Sequence, residues 1–283
     1  MNLKEVKLRI QSVKNTQKIT SAMKLVSAAK LRRAQNAIEG MCPYKEKLDE
    51  ILAAFLGSLS LVDTPWTVQR EAKKVVVVAV SSSSSLCGSF NSNIIREAKA
   101  VVEKYIAVGA AVEIYPVGKK IFEAFKKSGY EQDTVLLEMA AKVTYEQVAA
   151  VAATLMERFA AGDIDRVELV YTHYHSVARQ VPVNEALLPV DTTAVAGSET
   201  VDFIIEPSRR ELLHTLLPKV ITLRLFTALL DSATAEHAAR MLAMQVATDN
   251  ADELIAELVR EYNKGRQQAI TNELLDIVSG SAN

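Results

Sequence analysis

The two ends of this chain are long stretches of helical patterning, and they limit the folds the chain can adopt. Residues 2–39 contain neither Pro nor Gly, and after Pro218 the helical pattern continues to the last residues. Sixty helical residues would span about 90 Å at 1.5 Å per residue. A helix of that length needs a partner along its length. We therefore expect the two ends to pair as an antiparallel coiled coil.

Both ends carry spacings typical of a coiled-coil seam. The first apolar residues recur at intervals of three, four and three: Leu3, Val6, Ile10 and Val13. A second such series lies near the other end: Ala247, Ala251, Leu254 and Leu258. The next positions of the first seam are polar: Gln17, Thr20, Lys24 and Ser27. We therefore predict that the apolar stripe moves sideways there, to Ile19, Met23 and Val26.

The charges of the two ends are complementary. Residues 1–40 hold nine Lys and Arg against two Glu, whereas residues 249–276 hold seven acidic and three basic residues. The net charge of the whole chain, −1, hides this asymmetry. Opposite charges favour pairing of the two segments.

The middle of the chain has a different pattern. A β-branched run at 73–80 is typical of a strand buried on both faces of a parallel sheet. Helical and strand-like segments then alternate, with strands predicted at 110–118, 133–138 and 166–176. We predict an N-terminal coiled-coil helix at 1–58, a Rossmann-like, doubly wound α/β domain at 73–195 and a C-terminal coiled-coil helix at 208–283.

Three segments raise the possibility of a chemical or binding site. Residues 81–91, SSSSSLCGSFN, follow a strand as a phosphate loop would, but they lack a glycine-rich fingerprint, so a turn with serine N-caps competes with a nucleotide site. His173 and His175 share one strand face without a third metal ligand, and the basic N-terminal helix admits nucleic-acid binding. Hydrolase and protease motifs are absent from the sequence. We expect no catalytic residues, no cofactor and no metal.

The sequence also bears on cellular location. It has no run of about 18 uncharged apolar residues, and its start lacks the apolar core of a signal peptide. Cys42 and Cys87 are isolated thiols, as expected in a reducing cytosol.

Several long motifs, in order, resemble the gamma subunit of F-type ATP synthases. They are RIQSVKNTQKITSAMKLVSAAKLRRAQ (9–35), SLCGSFN (85–91), IIEPSRRELLHTLLP (204–218), EHAARMLAMQVATDNADELI (236–255) and YNKGRQQAITNELLDIVSG (262–280). The resemblance covers essentially the whole chain. It implies the fold described above, acting as the central rotor shaft that couples rotation of a membrane c ring to ATP synthesis or hydrolysis. Its implied partners are a ring of alpha and beta subunits, the epsilon subunit and the c ring, on the cytoplasmic face of a bacterial inner membrane.

The resemblance also implies contact residues. Those for the beta subunits and coupling are Met23, Arg240, Arg266, Gln267, Thr271 and Glu273. Those for the c ring and the foot of the shaft are Glu206, Lys30, Arg32 and Arg33. Met23 could instead belong to the coiled-coil core, and the arginines could be ordinary surface charges. The small, polar and basic residues of 15–33 would allow weak, reversible contacts with three successive copies of one partner.

The chain departs from the family pattern at two places. Ser83, Ser84 and Ser85 stand where an Asp-Arg-Gly type of turn is usual, so the resemblance does not carry over an anchoring salt bridge at this turn. Gly265 replaces the usual alanine and is expected to soften the coil, because glycine disfavours a helix interior.

The alternative functions are those of a free-standing coiled-coil scaffold, a nucleic-acid binder, and an enzyme that binds nucleotide at 81–91.

Overall fold

The computed structural model describes residues 3–57, 64–140, 143–190 and 209–280. The chain divides into two compact units. The coil unit contains Met1–Ala29 and Arg240–Asn283, and the sheet unit contains Lys30–Ala239.

The sheet unit is built on four strands in the order β2-β1-β3-β4. The strands are β1 (Lys74–Val80), β2 (Ala111–Val117), β3 (Arg166–Tyr174) and β4 (Gln180–Leu188). Strand β1 pairs in parallel with β2 and β3, whereas β4 pairs antiparallel to β3. The prediction of an α/β sheet is confirmed, and the antiparallel edge strand makes the sheet mixed. Strand β4 was not predicted, because its half-exposed edge and Pro182 weaken the usual strand pattern.

The predicted strand at 133–138 is wrong. Only a single bridge forms beside it, between Ile114 and Gln132. The next amides bond locally, because Val135 N donates to Asp133 Oδ1 and Leu137 N donates to Thr134 O. These turn bonds use the donors that a ladder would need.

Helices cover both faces of the sheet. Alternate residues of β1 point to opposite faces, so Val75, Val77 and Ala79 pack with helices α2 (Phe90–Ala107) and α3 (Lys119–Lys126). The opposite residues pack with α4 (Tyr145–Ala161) and with parts of the two long helices, α1 (Leu3–Gly57) and α5 (Arg209–Gly280). From these long helices, Leu48, Leu52 and the apolar residues between 213 and 229 join this core.

Neither proline nor glycine interrupts the long helices. Helix α1 continues through Gly40 and Pro43, and α5 continues through Pro218. By length and composition, α5 also contains a window apolar enough to cross a membrane, but 56% of that window is buried inside the protein.

In the coil unit, residues from both ends of the chain pair antiparallel. From Gln17 to Lys24 the residue numbers rise along α1, whereas those of the hydrogen-bonded partners in α5 fall from Asp252 to Gln245. The confirmed seam keeps its first register: Val6, Thr20 and Ser27 are all buried. The predicted sideways move of the stripe is wrong, because Ile19 is 60% exposed and Val26 is 57% exposed.

Candidate functional site

Three of the hydroxyl and amide side chains in residues 15–33 lie in the seam of the coil unit: Gln17, Thr20 and Ser27. Gln17 Nε2 donates to Asp252 Oδ1 at 2.6 Å, and the Oγ1 atoms of Thr20 and Thr248 are 2.9 Å apart. These contacts explain why a long helix carries so many small polar residues. Asn15 and Thr16 are exposed, and the predicted contacts of 15–33 with other subunits stay a prediction.

A third contact extends this polar seam. Lys24 Nζ donates to Gln245 Oε1 at 2.8 Å, and Gln245 Nε2 donates to Asp249 Oδ1 at 2.7 Å. The basic side chain of Lys24 and the acidic side chain of Asp249 are therefore linked through the side-chain amide of Gln245. Lys14 and Lys18, both exposed, form no ion pair within the part of the chain that the structure describes.

The outer faces of the coil unit carry large apolar side chains in addition to charges. On α1 the most exposed are Leu8, Ile19, Leu25 and Val26, each between 57% and 65% exposed. On α5 they are Leu242, Val246, Val259, Ile270, Leu274, Leu275 and Ile277. Such side chains away from the seam are typical of surfaces that meet another protein. The sequence itself indicated this exposure for two of them, because Ile19 and Val26 are one heptad apart and occupy a heptad position outside the seam.

The predicted coupling residues occupy two kinds of position in the coil unit. Met23 and Arg240 are half-buried, and the Met23 carbonyl accepts a hydrogen bond from Ser27 Oγ at 2.8 Å. Met23 is therefore neither a fully buried core residue nor a freely exposed one.

The predicted contact residues near the end of α5 are all exposed: Arg266, Gln267, Thr271 and Glu273. Arg266 and Glu273 are seven residues apart and share one side of the helix, while Gln267 and Thr271 lie on the neighbouring side. The Thr271 hydroxyl donates to the Gln267 carbonyl at 2.9 Å. The exposed apolar side chains of Ile270 and Leu274 lie between these two polar pairs.

The structure describes only some of the residues predicted for the foot of the shaft. Lys30, Arg32 and Arg33 are exposed on α1 in the sheet unit. Glu206 lies outside the described residues.

The inner polar groups of the serine-rich segment 81–91 form hydrogen bonds within the segment and with the start of α3. Ser82 N donates to Asn91 Oδ1 at 3.1 Å, and Ser81 Oγ accepts a hydrogen bond from Ile121 N at 2.9 Å. Both serines are buried. Ser89 occupies the N-cap position of α2 without a side-chain cap bond, so the predicted serine cap does not form. The turn prediction fits these internal bonds, because the inner hydroxyls and amides already have partners.

The backbone beside this segment is also tightly packed. Gly118 has a φ of +90°, and a Cβ there would lie 2.3 Å from the Ser81 carbonyl oxygen. Only glycine fits this close approach. The contact fixes the ends of β1 and β2 against each other.

His173 in β3 contacts His175, which follows the strand, and the carboxylate of Asp231. Their ring centroids are 4.4 Å apart, and His173 Nδ1 lies 2.5 Å from Asp231 Oδ2. Asp231 Oδ1 accepts a further bond from Tyr174 N. Within the described residues, no group of three or more His, Cys, Asp or Glu is arranged to hold a metal ion.

A cavity of about 550 Å³ lies beside these histidines in the sheet unit, between β3, β4, α1 and α5. Tyr171, Glu185 and Asp231 are among its lining residues. Burial, together with the charge of Glu185 and its hydrogen bond to the phenol, raises the pKa of Tyr171 above its ordinary value. The phenol therefore stays protonated and donates to the Glu185 carboxylate at 3.0 Å.

Comparison with known proteins covers the whole chain. The family described as ATP synthase matches residues 2–283. The ATP synthase gamma chain of Bacteroides fragilis is 52% identical over 286 residues, covering 99% of both chains. That of Flavobacterium johnsoniae is 43% identical over 288 residues, covering 99% of this chain and 98% of the other.

Solved structures share the fold. A chain of the Tetrahymena thermophila mitochondrial ATP synthase, from its central stalk and c ring, aligns with a TM-score of 0.61 at 25% identity, covering 81% of this chain and 99% of that one. A chain of the Euglena gracilis mitochondrial ATP synthase rotor aligns with a TM-score of 0.64 at 19% identity, covering 95% and 98%. With relatives this similar over nearly their full length, the chain belongs to the ATP synthase gamma chain family.

Proposed function

We propose that this chain is the central rotor shaft of a bacterial F-type ATP synthase. The observation that carries the proposal is the match to bacterial gamma chains over 99% of both sequences. The paired long helices of the coil unit supply an element able to carry torque, and the sheet unit is built around separate lengths of the same two helices.

The partners follow from the assemblies in which structural neighbours occur. One neighbour belongs to a central stalk with a c ring, and another to an assembly of OSCP, F1 and c ring. We infer that the coil unit of this chain turns inside a ring of alpha and beta subunits. We also infer that the shaft rests on a c ring and binds an epsilon subunit. Membrane association then occurs only through the c ring, on the cytoplasmic face of the inner membrane.

The outer face of the coil unit suits repeated, reversible contact. Exposed ion pairs contribute only about 0–1 kcal/mol each in water. The exposed apolar residues, such as Leu25 and Leu275, add contacts that differ from one side of the shaft to another. Such asymmetry is required, because a shaft with equal affinity at every angle shifts no equilibrium in its partner.

The coupling contacts are assigned to the predicted residues. Met23 and Arg240 are proposed to contact the beta subunits from half-buried positions. The exposed surface of Arg266, Gln267, Thr271 and Glu273 is proposed as a second beta contact. Lys30, Arg32, Arg33 and Glu206 are proposed for the foot or lower beta contacts.

ATP chemistry is assigned to other subunits. The one segment with the position of a phosphate loop, 81–91, has its inner polar groups bonded within the fold. This chain would then couple rotation to catalysis in the synthase while carrying no catalytic residue of its own.

Reconstitution tests the proposal. Purified alpha and beta subunits from the same organism are mixed with and without this chain, and ATPase turnover and composition are measured. We expect one copy of this chain per three beta subunits and a higher turnover. If assembly and ATPase turnover are the same with and without this chain, the rotor-shaft proposal is refuted.

A further inference from the structure

The seam of the coil unit contains a section where three polar contacts accompany the buried apolar side chains of Met244 and Ala251. We call residues 17–27 of α1 and 244–252 of α5 the polar section. Across it, Gln17 pairs with Asp252, Thr20 with Thr248, and Lys24 with Gln245. Each contact is a hydrogen bond between side chains of the two helices.

The seam nearer the start of α1 is apolar in contrast. Val6 is 3% exposed and Leu258 is 3% exposed. Leu3 packs over Gly265, with Leu3 Cδ2 only 3.2 Å from the position of a Cβ at that glycine. Burial of such side chains is the main force that holds coiled-coil helices together.

Hydrogen bonds across a seam add less to pairing than apolar packing does. When the helices part, Gln17, Thr20 and Lys24 exchange their partners for water, whereas buried Val or Leu side chains lose favourable burial. After opening, both hydroxyls can donate within their own helices, because Thr20 Oγ1 lies 3.0 Å from the Gln17 carbonyl and Thr248 Oγ1 lies 2.8 Å from the Met244 carbonyl. Opening therefore leaves no buried donor without a partner.

We propose that the polar section is a built-in site of local opening, where the two helices separate more readily than in the apolar seam beside it. The inference rests on these contacts alone and goes beyond the rotor role. In a shaft that carries torque, such a section would be its compliant part.

Hydrogen exchange on the full-length chain tests the inference. In the wild type, we expect amides of the polar section to exchange by a local opening whose rate barely responds to low urea, since local openings expose little surface. In the Thr20→Val/Thr248→Val variant, two isosteric apolar groups replace the hydroxyl pair. We expect exchange in the section to slow by about tenfold, because a fully apolar pair is favoured over a polar one when neither partner is left unpaired.

Thr16→Val is the matched control. Thr16 lies on the same helix but is exposed, and its hydroxyl donates to the Ser12 carbonyl of its own helix at 3.2 Å. This variant is expected to leave exchange in α5 unchanged. A second pair, Gln17→Leu/Asp252→Leu, removes another contact of the section and is expected to slow exchange in the same way.

Two results would overturn the proposal. One is equal or faster exchange in the polar section of both paired variants relative to the wild type. The other is wild-type exchange there that requires global unfolding, seen as a steep urea dependence. Because ATPase turnover is not measured, failure here leaves the rotor role untouched.

Discussion

Leu3 Cδ2 lies 3.2 Å from the point where a Cβ at Gly265 would be, so the absence of a side chain on α5 makes room for the first seam residue of α1. Gly265 therefore has a packing role between the two helices. From the sequence alone, Gly265 is expected only to soften the helix.

We predict that Gly265→Ala stabilises the chain modestly. Alanine gains about 0.5–1 kcal/mol over glycine in a helix interior. The new methyl group meets only the flexible end of Leu3, which shifts by a few tenths of an ångström and cancels part of the gain. Urea denaturation followed by circular dichroism measures the difference.

Gly40→Ala is the control for this prediction. Gly40 also lies inside a helix, and no heavy atom lies within 4 Å of a Cβ placed there. It should show the full gain of about 0.5–1 kcal/mol. A loss of stability at Gly265 alongside a gain at Gly40 would mean that Leu3 cannot move.

Charge reversal at the end of α5 tests the coupling surface. We expect Arg266→Glu with Gln267→Leu to reduce the stimulation of ATPase turnover in the reconstituted complex by up to about fivefold, since a screened contact contributes about 0–1 kcal/mol. Arg96→Glu, at an exposed position on α2 in the sheet unit, is the control and should leave turnover unchanged. Equal effects of both changes would remove the assignment of Arg266 and Gln267.

Tyr105 is predicted to stabilise the sheet unit through a buried carboxylate. Its hydroxyl donates to Glu168 Oε1 at 2.5 Å, and Glu168 is only 2% exposed. Burial, followed by the hydrogen bond to Glu168, raises the pKa of Tyr105 to about 12, so the donor is present at neutral pH. We expect Tyr105→Phe to lower the free energy of unfolding by about 1–3 kcal/mol, because Glu168 loses a donor in a buried place.

Tyr130→Phe provides the comparison. Tyr130 is half-buried and contacts Phe125 edge to face, with 5.7 Å between ring centroids. Removing its hydroxyl should change the urea midpoint little. A similar loss in both variants would show that Glu168 does not depend on the phenol.

Asp163 gives a pH dependence with a definite sign. Hydrogen bonds from Arg158 and then Lys74 lower the pKa of its carboxyl below the ordinary value. The unfolded chain therefore takes up this proton first on acidification. The stabilising contribution is present above about pH 4 and is lost as the pH falls through the folded pKa.

We therefore expect the free energy of unfolding to fall less steeply in Asp163→Asn than in the wild type between about pH 5 and pH 3. Urea titrations at a series of pH values measure the two slopes. Glu131→Gln is the control, because the exposed Glu131 has no ion pair within the described residues. Parallel curves for Asp163→Asn and the wild type would contradict the prediction.

Much of the fold was predictable because its signals are local. The heptad series Leu3 to Val13, the β-branched run at 73–80 and the length of both ends depend only on neighbouring residues in the sequence. Each such pattern identifies which face of an element is apolar. The contact role of Arg266, Gln267, Thr271 and Glu273 came from resemblance and stays a prediction.

The rest depended on what each segment meets in three dimensions. Strand β4 is held by pairing with β3, and the bonds of Asp133 and Thr134 turn a strand-like segment into local turns. The polar positions Thr20 and Ser27 looked like an interruption of the seam, yet they are buried in it. The sequence by itself determined that two long helices must pair around an α/β middle. Only the tertiary structure decided which stripe faces inward, since a polar residue can occupy a seam when its partner, as Thr248 does for Thr20, supplies the matching hydrogen bond.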